Sequence, residues 1–282
     1  MERNAFSPNM ELSHVCDQMW KADSNRLVPE VDYAIDPQGK TRFHSRSDQA
    51  SDPLFTWVNP EALRKPTYDA FVKLLDNYAS ETGKPEVVNQ EEINENRVFI
   101  DRIYDTGPME IAHKFLAGKG LVPSDRPGFK KKLYQMWFEL YQRTRGCRVK
   151  DSSGFEHVFV GETRGKEEVI GFHNWIQFYL QEKAGVVDYK GFFPNRNKRM
   201  STDAMKECQL VTIQFSWKSG VKPIGSSFIG TSPEFEMALY TVCFLAGGGH
   251  DVHLDMEDYD VIIKIHTFHG GKYIGSCYPQ AV

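Results

Sequence analysis

The period of the apolar positions changes once along this chain, after Gly146, and no all-helical or all-strand fold accommodates both halves. Upstream the period is helical. Leu12, Val15, Cys16, Met19 and Trp20 predict a helix within residues 1–25, with Ser13 and Asp17 on its other face. From Pro66, the stripe Tyr68, Phe71, Val72, Leu74, Leu75 and Tyr78 predicts a second, closed by Gly83-Lys84-Pro85. Glu91-Glu92-Ile93 opens a third through Val98, Phe99, Ile100 and Ile103, with its acids at the positive end of the helix dipole. Pro108 suits the first turn of the next, through Ile111, Ala112, Phe115 and Leu116 to Gly118 and Gly120. Another follows Pro127 through Phe129, Leu133, Met136, Trp137, Leu140 and Tyr141. Residues 29–60, rich in Pro, Asp, Ser and Gly, predict a long irregular excursion with short pieces of structure.

Downstream, strands enter. Phe155 to Val160 predicts a short strand, and Val169 to Gln181 a helix anchored by Ile170, Trp175, Phe178 and Tyr179. In Gln209 to Trp217, Val211, Ile213, Phe215 and Trp217 alternate with Thr212, Gln214 and Ser216, the mark of a half-buried strand. A second strand is predicted over Lys222–Gly230. Ser232-Pro233-Glu234 is an N-cap, a first-turn proline and a first-turn acid, launching an apolar helix that stops at Gly247-Gly248-Gly249. Tyr259–Thr267 and Tyr273–Tyr278 flank the turn His269-Gly270-Gly271-Lys272 as a hairpin. The fold class is therefore α+β: a mostly helical region 1–145, then a region 146–282 of antiparallel sheets packed with helices, both parts of one continuous unit.

Composition narrows the function. No run of ~18 apolar residues is present, so no membrane span is expected. The first twenty residues carry Glu2, Arg3, Glu11 and Asp17 and no apolar signal core, so a cytoplasmic or nuclear chain is expected. The five cysteines are widely spaced and never CxxC, which fits reduced thiols and argues against a zinc ribbon. With a formal net charge of −4, bulk electrostatics do not suit nucleic acid, so RNA binding would need a local patch. The basic run Arg126, Lys130, Lys131, Lys132, Arg143, Arg145, Arg148 and Lys150 is either such a patch or a solvated helix face.

One segment concentrates proton-handling groups: Glu156, His157 and Glu162, followed by His173. A lone histidine in such a place is more often structural. A pair suits RNA cleavage by the 2′-hydroxyl, in which one group takes the hydroxyl proton and the other protonates the leaving 5′-oxygen. A cation must stand beside the phosphate, and Lys218, directly after the alternating strand, is the candidate; a lysine marking a strand edge is the alternative. Ser276 and Tyr278, two apart on the final strand, share a face and suit hydrogen bonding to a pyrimidine or stacking on it. Glu156 and Glu162 are also candidate metal ligands, although the spacing matches no HExxH motif. If Phe155–Val160 is a regular strand, Glu156 and His157 face opposite ways. Three functions follow: a ribonuclease, an RNA-binding protein with little catalysis, and a metallohydrolase.

Longer motifs carry a resemblance. Gly154–Glu162, His173-Asn174-Trp175 with the residues through Lys183, Asp188-Tyr189-Lys190-Gly191, Val221–Gly230, Ser232-Pro233-Glu234-Phe235-Glu236 and Tyr273–Pro279 are similar to the EndoU family of poly(U)-specific endoribonucleases. So are Leu74–Tyr78 and Trp137–Tyr141, and the resemblance spans nearly the whole chain. It implies an α+β fold whose catalytic part also occurs in the coronaviral uridylate-specific endoribonuclease. It implies cleavage of single-stranded, U-rich RNA to 2′,3′-cyclic phosphates, stimulated by manganese or, in some members, calcium. It assigns the family's essential acids and histidines to Glu156, His157, Glu162 and His173, its lysine to Lys218, its C-terminal threonine to Ser276 and its tyrosine to Tyr278. The viral relatives imply His173 as base and His157 as acid. A monomer is expected.

Overall fold

The computed structural model describes residues 7–42, 47–194, 206–256 and 259–281. Residues 1–6 of the predicted first helix and 43–46 of the predicted excursion lie outside them. The helical stripes form α1 (Met10–Lys21), α2 (Pro66–Val72), α3 (Gln90–Tyr104), α4 (Gly107–Gly118) and α5 (Arg126–Trp137). Their starts follow the sequence signals. Asn9 accepts the Leu12 N–H at 3.1 Å, Asn89 and Glu92 form a capping box, and Asp125 accepts the Gly128 N–H at 2.8 Å. The stripe that begins at Tyr68 stays helical only to Val72; Lys73 to Tyr78 is a series of turns. The excursion carries β1 (Tyr33–Ile35) and β2 (Phe55–Val58), paired antiparallel.

Downstream lie five-stranded and three-stranded sheets. The larger has the order β3 (Glu162–Arg164), β4 (Glu168–Ile170), β7 (Gly220–Phe228), β6 (Leu210–Trp217), β5 (Val187–Phe192). Only β4–β7 is parallel, through Glu168 opposite Val221. The smaller has the order β10 (Tyr273–Ala281), β9 (Tyr259–Phe268), β8 (Val252–Met256), all antiparallel. Helix α6 (Trp175–Lys183) follows β4, and α7 (Pro233–Ala246) lies between the sheets in sequence. Every residue of α7 from Pro233 to Phe244 is buried, which matches its largely apolar sequence beyond Glu234 and Glu236. The buried core runs without a break from Leu12 to Cys277, across Gly146.

Two predicted elements need correction. Phe155–Val160 is not a strand; Glu156–Val160 forms a π-helical turn ended by Gly161 at φ 92°. All five residues of that turn are buried, so no solvent face imposed a period on the sequence. Val169 and Ile170 belong to β4, not to a helix. Gly171 and Phe172, at φ 63° and 64°, break the chain before α6 begins at Trp175. Asn174 caps α6, accepting from Ile176 N (3.0 Å) and Gln177 N (3.1 Å). Strand β5, absent from the sequence reading, pairs with β6 along its length.

Edge strand β10 packs against β7 and against the 156–160 turn, so the two sheets meet there. A bulge sets the orientation of β10. Ile274 lies opposite Thr267 and Ser276 opposite His266, which leaves Gly275 as an extra residue. Ile274 and Cys277 are therefore directed into the core, while Ser276 and Tyr278 share the opposite face. Both carbonyls at the bulge are satisfied: Tyr141 Oη donates to Ile274 O (2.9 Å) and Arg143 Nη2 to Gly275 O (2.7 Å).

Two outcomes follow. A Cβ on Gly171 would lie 1.9 Å from His157 O, in a left-handed backbone. Gly171→Ala is expected to lower unfolding free energy by more than about 2 kcal/mol, measured by urea titration. Glu236 is fully buried, and burial raises its carboxyl to about 8 despite hydrogen bonds from Thr231, Asn174 and Tyr240. A raised acid contributes stability that is complete below its unfolded value, near ~4.5, and is lost as pH rises through the folded one. The melting temperature should therefore fall more steeply between pH 5 and 8 in the natural chain than in Glu236→Gln, as thermal melts across that range will measure.

Candidate active site

The two histidines are held together by main chain. Phe172 N–H donates to His157 O (2.9 Å) and His173 N–H to Val158 O (2.8 Å), so the segment before α6 is stitched onto the π-helical turn. Each imidazole has a defined partner. His173 Nδ1 lies 3.0 Å from Ser226 O on β7; a carbonyl only accepts, so Nδ1 carries the proton and Nε2 is left as the basic atom. The Tyr278 ring is parallel to the His173 ring at 4.1 Å, fixing its plane. Burial pushes His173 well below its ordinary value, with Lys222 the next contributor, so the ring is neutral at pH 7.

His157 Nδ1 is 2.5 Å from Glu162 Oε2, and Arg143 Nε is 3.2 Å from the same oxygen. Burial drives His157 well below its ordinary value, helped by Arg143 and Lys222, and raises Glu162 to about 7 against the pull of Arg143. The short contact therefore holds one proton between two groups that burial steers towards their neutral forms. Arg143 also donates from Nε to Ser152 Oγ (2.8 Å) and, through Nη2, to the bulge carbonyl of β10. Asp151 fixes the Arg143 backbone, accepting from Arg143 N (2.7 Å), Thr144 N (3.1 Å) and Gly83 N (2.8 Å).

The candidate lysine is placed elsewhere. Lys218 sits at φ 55° in the turn between β6 and β7, exposed, with Nζ on Ser80 Oγ and above the Trp217 ring. The lysine that both histidines feel is Lys222 on β7. It is 8% exposed and makes no hydrogen bond or ion pair among the described residues, and burial lowers it to about 8. The signal for it lay in the hairpin: Trp217 pairs with Gly220 and Phe215 with Lys222, so the buried face of β6 continues into a buried lysine while Val221 faces out. Arg143, hidden within the basic run, had no periodic signal. That run forms no single stripe, since Arg126 pairs with Asp105 (2.8 Å) and Lys130 with Asp101 (2.7 Å).

Ser276 is buried with no partner for its Oγ among the described residues. Both carboxylate oxygens of Glu156 and Glu162 Oε1 also lack partners. Burial, then the nearby Glu162 and Glu86, push the Glu156 carboxyl well above its ordinary value. These two glutamates do not fit a manganese or calcium ion. They offer two carboxyls drawn towards protonation, one already engaged by His157 and Arg143, whereas such ions require several ionised or carbonyl oxygens. Among the described residues no group of three or more His, Cys, Asp and Glu is arranged to hold a metal.

The family model described as "Endoribonuclease XendoU" matches residues 11–279. The zebrafish (Danio rerio) uridylate-specific endoribonuclease B is 50% identical over 276 residues, covering 96% of each chain. The Xenopus laevis poly(U)-specific endoribonuclease-B is 46% identical, covering 99% of this chain and 96% of its own. The solved structure of XendoU, described as a splicing-independent snoRNA-processing endoribonuclease, superposes with a TM-score of 0.84 at 45% identity, covering 98% of each chain. With the α+β architecture matched from end to end, the chain belongs to the XendoU endoribonuclease family.

Proposed function

We propose that this chain is an endoribonuclease that cuts single-stranded RNA at uridylates and leaves a 2′,3′-cyclic phosphate. The observation that carries this reading is the pair His157 and His173, joined through main chain and held at Nδ1 by different partners, with the buried Lys222 close enough to act on both and engaged in no ion pair among the described residues. An ammonium in that position lacks an anion, and a phosphodiester supplies one. His173 Nε2, neutral and basic, takes the 2′-hydroxyl proton as the 2′-oxygen attacks phosphorus. The P–O5′ bond breaks, and the His157–Glu162 dyad gives its outer proton from His157 Nε2 to the departing 5′-oxygen. As Nε2 gives up its proton, the inner proton settles on Nδ1 and leaves Glu162 a carboxylate against Arg143; the raised proton affinity of Glu162 keeps the dyad loaded near neutral pH beforehand. Lys222 meets the negative charge that gathers on the phosphate oxygens.

The Oγ of Ser276 and the half-buried Tyr278 ring seat the pyrimidine, while the other face of that ring holds His173. The names of the relatives, uridylate-specific and poly(U)-specific, support uridine as that base. Stimulation by manganese or calcium belongs to the same proposal, with the ion held away from Glu156 and Glu162. If so, Glu156→Gln should leave the ion concentration for half-maximal activity unchanged, as titration of cleavage against Mn2+ will measure. An RNA-binding protein without catalysis would protect U-rich RNA and yield no cyclic-phosphate ends under excess substrate.

His173→Ala and Lys222→Ala are each expected to lower kcat by about 100-fold or more, while Lys218→Ala stays within about threefold. Cleavage of a fluorescent U-containing oligonucleotide measures all three, and equal losses in Lys218→Ala and Lys222→Ala would refute the assignment of the cation. Lys222 loses its charge as pH rises through about 8, so kcat/KM should fall on the alkaline side from there. A rate profile that stays flat to pH 9.5 would show that the Lys222 charge is not used.

A further inference from the structure

The face of the β9–β10 hairpin that carries Ser276 and Tyr278 also carries a third histidine that the mechanism leaves unused. The bulge at Gly275 sets Ser276 directly opposite His266, and Tyr278 opposite Lys264. Side chains of directly opposed residues leave the sheet on the same face, with Cβ atoms roughly 5 Å apart. His266 is therefore the lateral neighbour of the buried Ser276 hydroxyl, on the face whose Tyr278 ring lies on His173. Its side chain is exposed, and its imidazole makes no hydrogen bond among the described residues. His266 lies near enough to His157 and His173 to act on both electrostatically.

We propose that His266 is a specificity residue that reads the pyrimidine together with Ser276. This rests on the ribonuclease reading above and adds the base-reading group to it. The Watson–Crick edge of uracil presents neighbouring polar atoms in the order carbonyl, N–H, carbonyl; cytosine replaces one carbonyl with an amino donor and the N–H with a bare acceptor. One hydroxyl can satisfy one of these atoms. An imidazole one cross-strand spacing away supplies a second contact, and its ring N–H donates to the carbonyl that cytosine lacks. Lys264 is not available for this role, because its ammonium is held by Asp251. A phosphate contact would use the same imidazole but would not distinguish bases.

The test is binding, so that it stands apart from catalysis. Short RNA oligonucleotides with a single central 2′-deoxyuridine or 2′-deoxycytidine cannot be cut at that position, and their Kd values are measured for the natural chain, His266→Ala and His266→Gln. The natural chain should prefer deoxyuridine. His266→Ala should reduce that preference by three- to tenfold, the loss of about one hydrogen bond, and His266→Gln, which keeps an N–H donor, should restore most of it. Equal weakening for both oligonucleotides, an unchanged preference in His266→Ala, or no preference in the natural chain each overturns the proposal. If the natural chain prefers deoxyuridine yet cuts no RNA, the ribonuclease reading fails and the base-reading role stands. Thermal melts of both variants should match the natural chain, because the side chain is exposed.

Discussion

A buried carboxyl, Glu162, joins the parts of this protein that must not move relative to one another. It opens β3, yet its Oε2 atom meets the imidazole of the π-helical turn and the guanidinium of Arg143 from the loop after α5. Arg143 in turn holds the bulge carbonyl of β10. One oxygen atom thus links the helical region, the larger sheet and the smaller sheet. A charge-assisted bond of this kind, removed from water, is strong only while every partner is present; loss of one strands the others in a dry interior. The energetic risk of burying these groups is the source of their fixed geometry.

The same burial sets the chemistry. Both imidazoles are pushed towards the neutral form and Glu162 towards the protonated one, all by removal from water. What differs is the partner at Nδ1: a main-chain carbonyl for His173, a carboxyl for His157. A carbonyl fixes a tautomer and leaves a base; a carboxyl shares a proton and leaves an acid. Two identical side chains thus reach different hydrogen-bonding states from one neighbour each.

Helices α1 to α5 and the β6 alternation were legible because each has a wetter and a drier face; α7, dry all round, was legible from its Ser232-Pro233-Glu234 start and its glycine stop, and the final hairpin from its Gly270-Gly271 turn. The stretch 156–160 was not, since it is dry all round and its fold depends on Gly161 and on hydrogen bonds to residues 172 and 173. The misplaced helix start near Val169 has a similar origin: Gly171 is required by the His157 carbonyl, a contact invisible in the local sequence. The histidines and glutamates stood out by their density. Lys222 did not, because a lysine on the buried face of a strand is recognisable only once the strand is paired with its neighbour and the register counted. Lys218, the more obvious residue, occupies a turn whose left-handed backbone turns it away.

Gly275 gives the last strand a property independent of which side chains it bears. Because the chain alternates sides residue by residue, the extra unit at the bulge decides whether the hydroxyl and the phenol lie on the His173 side or close into the oily interior. The information here is numerical: a count of residues between the turn at Gly270-Gly271 and Ser276, odd or even. A relative could exchange most letters in that span and keep the same face, whereas dropping a single residue, with every side chain retained, would turn that face inward.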